Sequence, residues 1–219
     1  SKERGYVFPL YTYNDEGQQG VFSGDNHKNQ NITWNALPSW MATIQPFTSP
    51  VTNNFIQVPE IIFYYIYAIL YSNIYRQKYQ EFLKSDFPRI PFTSDYKLFQ
   101  NLAMLGEQLV ELHLLKSKLL DNPVSRYEGE GENRVEKRDY NGSSRVYISD
   151  SQFFDKVSPE VWNYYIGGYQ VLDKWLKERE GKVLSLEDQL HLREVITALS
   201  ETIEIQKRID KFYPEVEEI

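Results

Sequence analysis

The sequence predicts an α+β fold, mainly helical, in which a long helix hairpin and C-terminal helices accompany a small antiparallel β element. Three observations predict it. The run IIFYYIYAILY at 61–71 has no charge and opens a helix-compatible stretch that continues to about residue 84. Leu98, Leu102, Leu105, Leu109 and Leu112 step by four and three, which places them on one face of a second helix. Between 134 and 148, RVEKRDY and RVYI flank the Asn-Gly pair at 141–142, a strong short-range signal for a β-hairpin with a tight turn.

Along the chain, Tyr6, Phe8, Leu10 and Tyr13 alternate enough within residues 1–22 for a strand, with a turn over 14–17. SGDNHKNQNITWN, at 23–35, reads as a polar loop, 36–44 as a short helix, and 45–57 as another loop. The first long helix spans about 59–84. Pro59 suits a first helical position, and Asp86-Phe87-Pro88 marks the exit because the residue before a proline is pushed out of the helical region. DFPRIPF is an extended linker. The second helix spans about 95–118, with Ser94 or Asp95 as its cap, and packs on the first. Ser158-Pro159 starts the last helical third, GGY at 167–169 interrupts it, and Gly181 stops the next helix. Ser185 with Asp188 resembles a capping box, and the final helix runs to about Phe212 with Leu192, Ile196, Leu199 and Ile203 on one face. The chain reads as a single domain over 1–219, with β parts at about 1–22 and 125–148 and helical parts at about 59–118 and 159–213.

The uncharged run is too short for a membrane span, which needs roughly 20 apolar residues. Its four tyrosines, Tyr64, Tyr65, Tyr67 and Tyr71, would also place hydroxyls where lipid cannot satisfy them. No membrane partner is expected. The absence of cysteine excludes disulfides and cysteine-ligated zinc and fits a reducing, cytoplasmic location. Net charge is −7, but 160–219 holds 13 acidic against 8 basic residues, so the rest of the chain is close to neutral and leaves room for a phosphate-facing surface.

Most catalytic signatures are missing. No phosphate-binding loop or Gly-x-Ser-x-Gly elbow is present. His27, His113 and His191 are isolated from one another, so no metal site is expected, and His113 reads as a core-edge histidine with one hydrogen-bond partner. DNPV at 121–124 resembles the adenine methyltransferase tetrad only in part and reads as a turn. No residue is assigned a catalytic role.

Three segments carry nucleic-acid chemistry. Arg126, Arg134, Lys137, Arg138 and Arg145 cluster around the predicted hairpin; arginine makes bidentate contacts to base edges, and a β-ribbon fits the major groove. The same residues also fit a solvent-facing hairpin, since Glu128, Glu130, Glu132, Glu136 and Asp139 nearly cancel them. Lys28, Asn29 and Asn31 form a second candidate in the Asn-rich loop. IGGYQ, with Gly168 and Gln170 as candidate contacts, is the third: its glycines would let the backbone approach a phosphate, or would serve close helix packing.

YYIYAILYSNIYRQKYQEFLKSDFPRIPF, at 64–92, resembles a signature in the C-terminal region of Type ISP restriction–modification enzymes and related fused adenine-N6 methyltransferase polypeptides. FPLY at 8–11 resembles the opening strand of that region. LFQNLAMLGEQLVELHLL at 98–115, VWNYYIGGYQVLDKWLKER at 161–179 and LSLEDQLHLREVITALSET at 184–202 continue the resemblance in order. It implies a target recognition domain that reads an asymmetric double-stranded DNA site. That domain would direct an upstream methyltransferase and nuclease of the same polypeptide. S-adenosylmethionine, Mg2+ and, where a helicase-like ATPase is present, ATP would belong to those upstream parts, with no cofactor in this segment. The alternative role is a coupling domain that links recognition to catalysis without touching bases.

Overall fold

The computed structural model describes residues 9–13, 28–33, 35 and 37–217. Strand β1 (Tyr11–Tyr13) pairs antiparallel with β2 (Lys28–Gln30), Tyr11 opposite Gln30. The turn expected over 14–17 lies outside the described residues. The loop expected over 23–35 contains β2, which is a correction. Asn31 explains the strand: its amide donates to Leu10 O at 2.9 Å and its Nδ2 to Pro9 O at 2.8 Å. A 3-10 helix over Ser39–Thr43 takes the place of the short helix expected there and buries Met41. The expected loop at 45–57 holds a small hairpin of β3 (Phe47–Thr48) and β4 (Phe55–Ile56).

The first long helix is three helices: α1 (Val58–Tyr71), α2 (Asn73–Lys78) and α3 (Gln80–Leu83). Periodicity alone reads through the break. At Ser72 the backbone is extended, and the Ser72 hydroxyl accepts the amide of Tyr75 as the cap of α2. Arg76 reaches back and donates to Leu70 O at 2.6 Å, satisfying a terminal carbonyl of α1. The tyrosines of this region have a structural purpose. Tyr65 donates to Pro91 O at 2.8 Å and accepts the amide of Thr93; Tyr75 donates to Arg89 O at 3.0 Å. The extended DFPRIP segment has no ladder of its own, so buried hydroxyls satisfy its backbone.

Helix α4 (Tyr96–His113) is capped by Asp95, whose carboxylate accepts the amides of Lys97 and Leu98. It ends five residues earlier than expected, at a left-handed Leu115 with φ +53°. The Leu stripe is buried as the spacing requires, and Phe99, Leu102 and Leu109 are wholly enclosed. Full burial of such a side chain contributes about 1.5–3 kcal/mol. Helices α1 and α4 touch backbone to backbone: a Cβ at Gly106 would lie 1.8 Å from Tyr64 O. Glu107 of α4 is buried and accepts hydrogen bonds from Ser49 Oγ at 2.6 Å and Thr52 Oγ1 at 2.8 Å, which fastens the β3–β4 turn to the helix.

A 3-10 turn over Lys118–Asp121 leads into a four-stranded antiparallel sheet. Its strands are β5 (Tyr127–Glu128), β6 (Asp139–Tyr140), β7 (Val146–Tyr147) and β8 (Phe153–Phe154), in the order β5-β8-β7-β6. RVEKRDY is not one continuous strand: Val135 exchanges backbone hydrogen bonds with Gly181 and Lys182, and pairing with β7 begins only at Asp139. The tight Asn-Gly turn is likewise corrected to a five-residue loop, because Asn141 Oδ1 accepts the amides of Ser143, Ser144 and Arg145 and opens it.

The chain closes with α5 (Pro159–Trp162), a hairpin of β9 (Tyr165–Ile166) and β10 (Tyr169–Gln170), α6 (Val171–Lys177) and the 32-residue α7 (Leu186–Glu217). The Ser185–Asp188 capping box is present: the Asp188 amide donates to Ser185 Oγ, and the Ser185 amide to Asp188 Oδ2. Two hydrophobic cores meet along α7. Leu192, Ile196 and Leu199 pack with the sheet, α5 and α6; Ile205, Ile209, Tyr213 and Val216 pack with α1, α2 and α4. No helix among the described residues is long and apolar enough to cross a membrane.

Candidate nucleic-acid interface

The registers of the four-stranded sheet separate its two faces. Tyr127, Phe154, Val146 and Tyr140 lie in one row, and this row covers the core: Phe154 and Val146 are buried and the two tyrosines pack against them. Glu128, Phe153, Tyr147 and Asp139 form the next row, which period-two alternation turns outward. Phe153 and Tyr147 are half-buried, with ring centres 5.1 Å apart. The Arg145 guanidinium lies 4.3 Å from the centre of Phe153, and Lys137 Nζ 5.7 Å from that of Tyr147. The outer face is thus a ribbon of cation, two aromatics and cation.

Arg126 enters β5 beside this ribbon. Its amide donates to Asp155 Oδ1, and the Asp155 amide donates to Arg126 O at 2.9 Å, so Asp155 pins the backbone and leaves the guanidinium exposed. Among the described residues, no carboxylate lies within ion-pair distance of Arg126 or Arg145. Both guanidiniums therefore offer unused donors to a planar acceptor such as a phosphate or a guanine edge. Lys137 is more engaged. It pairs with Asp150 at 2.8 Å and Asp139 at 3.7 Å, and the Asp150 contact raises the ammonium pKa while lowering that of the carboxyl.

The other predicted residues are placed differently. Arg138 donates through Nε to Asp173 at 2.9 Å and through Nη1 to Glu180 at 2.6 Å, tying the sheet edge to α6 and the segment beyond it. Arg134 Nη1 donates to Gly181 O at 2.6 Å, and Arg134 Nε lies 3.8 Å from Glu132 Oε2. Both arginines have architectural partners. Lys28 and Asn29 lie on β2, Asn29 exposed, while Asn31 holds β1 in place. Gln170 donates to Trp162 O and Gly168 occupies a hairpin turn. Helix packing does not account for the two glycines, since nothing lies within 4 Å of a Cβ built on Gly167 or Gly168.

Sequence reasoning missed the aromatic half of the ribbon. Its signal is the alternation VYI–SDS–QFF, in which Tyr147 and Phe153 fall on the face opposite Val146 and Phe154. It also missed that Gly167-Gly168 between Ile166 and Tyr169 is a hairpin turn rather than a helix interruption.

Comparison with known proteins specifies what this predominantly helical fold with small antiparallel sheets is. The chain belongs to the Type ISP C-terminal specificity domain family, whose model matches residues 1–208. Three solved structures are similar. The ATP-dependent Type ISP restriction–modification enzyme LlaBIII bound to DNA shares 19% identity at a TM-score of 0.61, over 91% of this chain and 13% of that one. A nuclease-deletion mutant of the Type ISP enzyme LlaGI, in complex with a DNA substrate mimic, shares 21% at 0.52, over 72% of this chain and 14% of that one. In the DrdV–DNA complex the values are 22% and 0.53, over 69% and 18%. The chain therefore spans less than a fifth of the length of each. No curated protein sequence matches significantly.

Proposed function

We propose that this domain recognises a specific double-stranded DNA sequence and directs an adenine-N6 methyltransferase and a nuclease, carried upstream on the same polypeptide, to it. In that reading the polypeptide works in the cytoplasm. S-adenosylmethionine and Mg2+ serve the upstream domains, as does ATP where an ATPase is present, and all chain 1–219 forms one target recognition domain.

The observation that carries this reading is the outward row of the four-stranded sheet in a chain of the specificity family. Arg145 stands exposed over one ring of a two-aromatic platform, Arg126 is exposed at the start of β5, and neither guanidinium has an ion-pair partner among the described residues; arginine is the side chain best suited to guanine edges and phosphates. Lys28, Asn29 and Asn31 on the β1–β2 ribbon, and Gly168 and Gln170 at the second hairpin, are the further candidate contacts. Arg134, Lys137 and Arg138 would act mainly by holding the sheet in place.

Selection of duplexes from a random pool by the chain at low salt tests the proposal. The expected result is a consensus sequence whose binding falls steeply as salt rises, and Arg126→Ala with Arg145→Ala should weaken or relax it. Retention of no duplex, or of all duplexes equally, would overturn sequence recognition by this piece. A second reading, coupling to neighbouring domains, is favoured by one feature: a groove of about 750 Å³ between α4, the Lys118–Asp121 turn and α7, with Leu119 exposed along it.

A further inference from the structure

The β9–β10 hairpin holds apolar side chains in water. Ile166 and Tyr169 are direct cross-strand partners, so they share one face of the ribbon. They are 51% and 60% exposed, and neighbouring Tyr165 is 57% exposed. Gly167 and Gly168 have φ of +56° and +85°, the two positive values that a type I′ turn requires. The tip is open, yet its base is fixed. Gln170 donates to Trp162 O, the Val171 amide to Tyr164 O at 3.1 Å, and Tyr164 OH to Gln206 Oε1 at 3.2 Å.

Cations flank the ribbon. Lys174 Nζ lies 4.1 Å from the centre of the Tyr169 ring and, with Lys177, lines a cleft of about 510 Å³ beside the hairpin. Asp173 and Glu178 line the same cleft, and Asp173 shares Arg138, at 2.9 Å, with Glu180. Lys174 and Lys177 are thus the cations that stand beside the apolar tip.

We infer that this hairpin enters the major groove of double-stranded DNA, where Ile166 and Tyr169 contact the C5-methyl groups of thymine. The inference rests on the DNA-recognition reading above. A two-stranded ribbon fits the width of that groove. Ile166 has no donor or acceptor, and the thymine methyl is the one apolar feature that base edges present there. Lys174 and Lys177 stand where flanking phosphates would pass, which positions the ribbon without reading sequence.

The test replaces each thymine of a selected duplex, one at a time, by deoxyuridine, which lacks only the methyl group. Binding to the full chain is read by fluorescence anisotropy at fixed salt. At one or more positions the wild type should lose affinity about fourfold per methyl. Ile166→Ser and Tyr169→Ser should bind the thymine duplex more weakly and lose that sensitivity. Ile166→Ala serves if the serine variant melts early. Lys174→Gln and Lys177→Gln should instead weaken all duplexes alike and flatten the salt slope by about one each. A wild type indifferent to uracil at every position overturns the inference and leaves DNA recognition standing. So do variants that remain as sensitive as the wild type. A wild type that retains no duplex overturns both readings.

Discussion

Asp210 of α7 accepts hydrogen bonds from Ser72 Oγ at 2.7 Å and from the Asn73 amide at 2.9 Å, with Asn73 Nδ2 on its other oxygen at 3.0 Å. The last helix therefore caps the second, across 138 residues of sequence. A carboxylate at a helix N-terminus satisfies orphan amides and complements the positive end of the dipole. Asp210→Ala is expected to cost about 1–2 kcal/mol, read as a lower urea midpoint with an unchanged slope. Asp210→Asn, which keeps one acceptor, should recover part of it.

Gly106 gives a sharper outcome. Alanine gains about 1 kcal/mol of helix propensity over glycine, so an exposed site would be stabilised. Here the new Cβ would meet Tyr64 O at 1.8 Å, and backbone cannot rotate aside as a side chain can. Overpacking of this kind costs typically 1–3 kcal/mol or more, so the helices must part and Gly106→Ala should lower stability. An unchanged or higher denaturation midpoint would show that α1 and α4 are farther apart.

What the sequence makes legible follows from the range of each cause. The Leu stripe of α4, the Asp95 cap and the Ser185–Asp188 box are local, and each stands as its residues predict. The break at Ser72 is not only local: the Ser72 hydroxyl also donates to Asp210, which no window around residue 72 contains. The same holds for Val135, drawn out of the expected hairpin by pairing with residues 181 and 182. At the candidate interface the arginines were readable as chemistry but not as environment. Only the fold tells Arg138, held by Asp173 and Glu180, from Arg145, which lies over an aromatic ring and faces solvent.

His113 is expected to make stability depend on pH. It has two partners rather than the one expected: Tyr67 OH lies 2.8 Å from Nδ1, and Nε2 lies 3.0 Å from Thr202 Oγ1. The Thr202 hydroxyl gives its proton to Ala198 O at 2.6 Å, so Nε2 donates and Nδ1 accepts, which fixes the neutral tautomer. Burial, with Arg76 nearby, lowers the pKa from 6.5 to about 4. The folded state therefore binds this proton less readily than the unfolded chain. The contribution is fully present above pH 6.5 and is lost as the pH falls towards 4. Urea midpoints should drop through this window in the wild type and drop less in His113→Gln. A His113 ring that titrates near 6.5 by NMR would contradict the network.

Arg138 and Arg145 are expected to separate stability from binding. Truncation of Arg138 leaves Asp173 and Glu180 without their shared cation and frees the sheet edge from α6. A hydrogen bond to a charged group contributes about 1.5–3 kcal/mol, so Arg138→Ala should lower the denaturation midpoint, and a double-mutant cycle with Asp173→Ala should reveal the coupling. Arg145 makes no ion pair within the described residues, and its contact with the Phe153 ring is solvent-facing. Arg145→Ala should leave stability within about 0.5 kcal/mol. Its effect belongs to DNA affinity, about 1–3 kcal/mol for a base-reading arginine. Equal losses of stability in both variants would place Arg145 among the structural arginines and remove it from the interface.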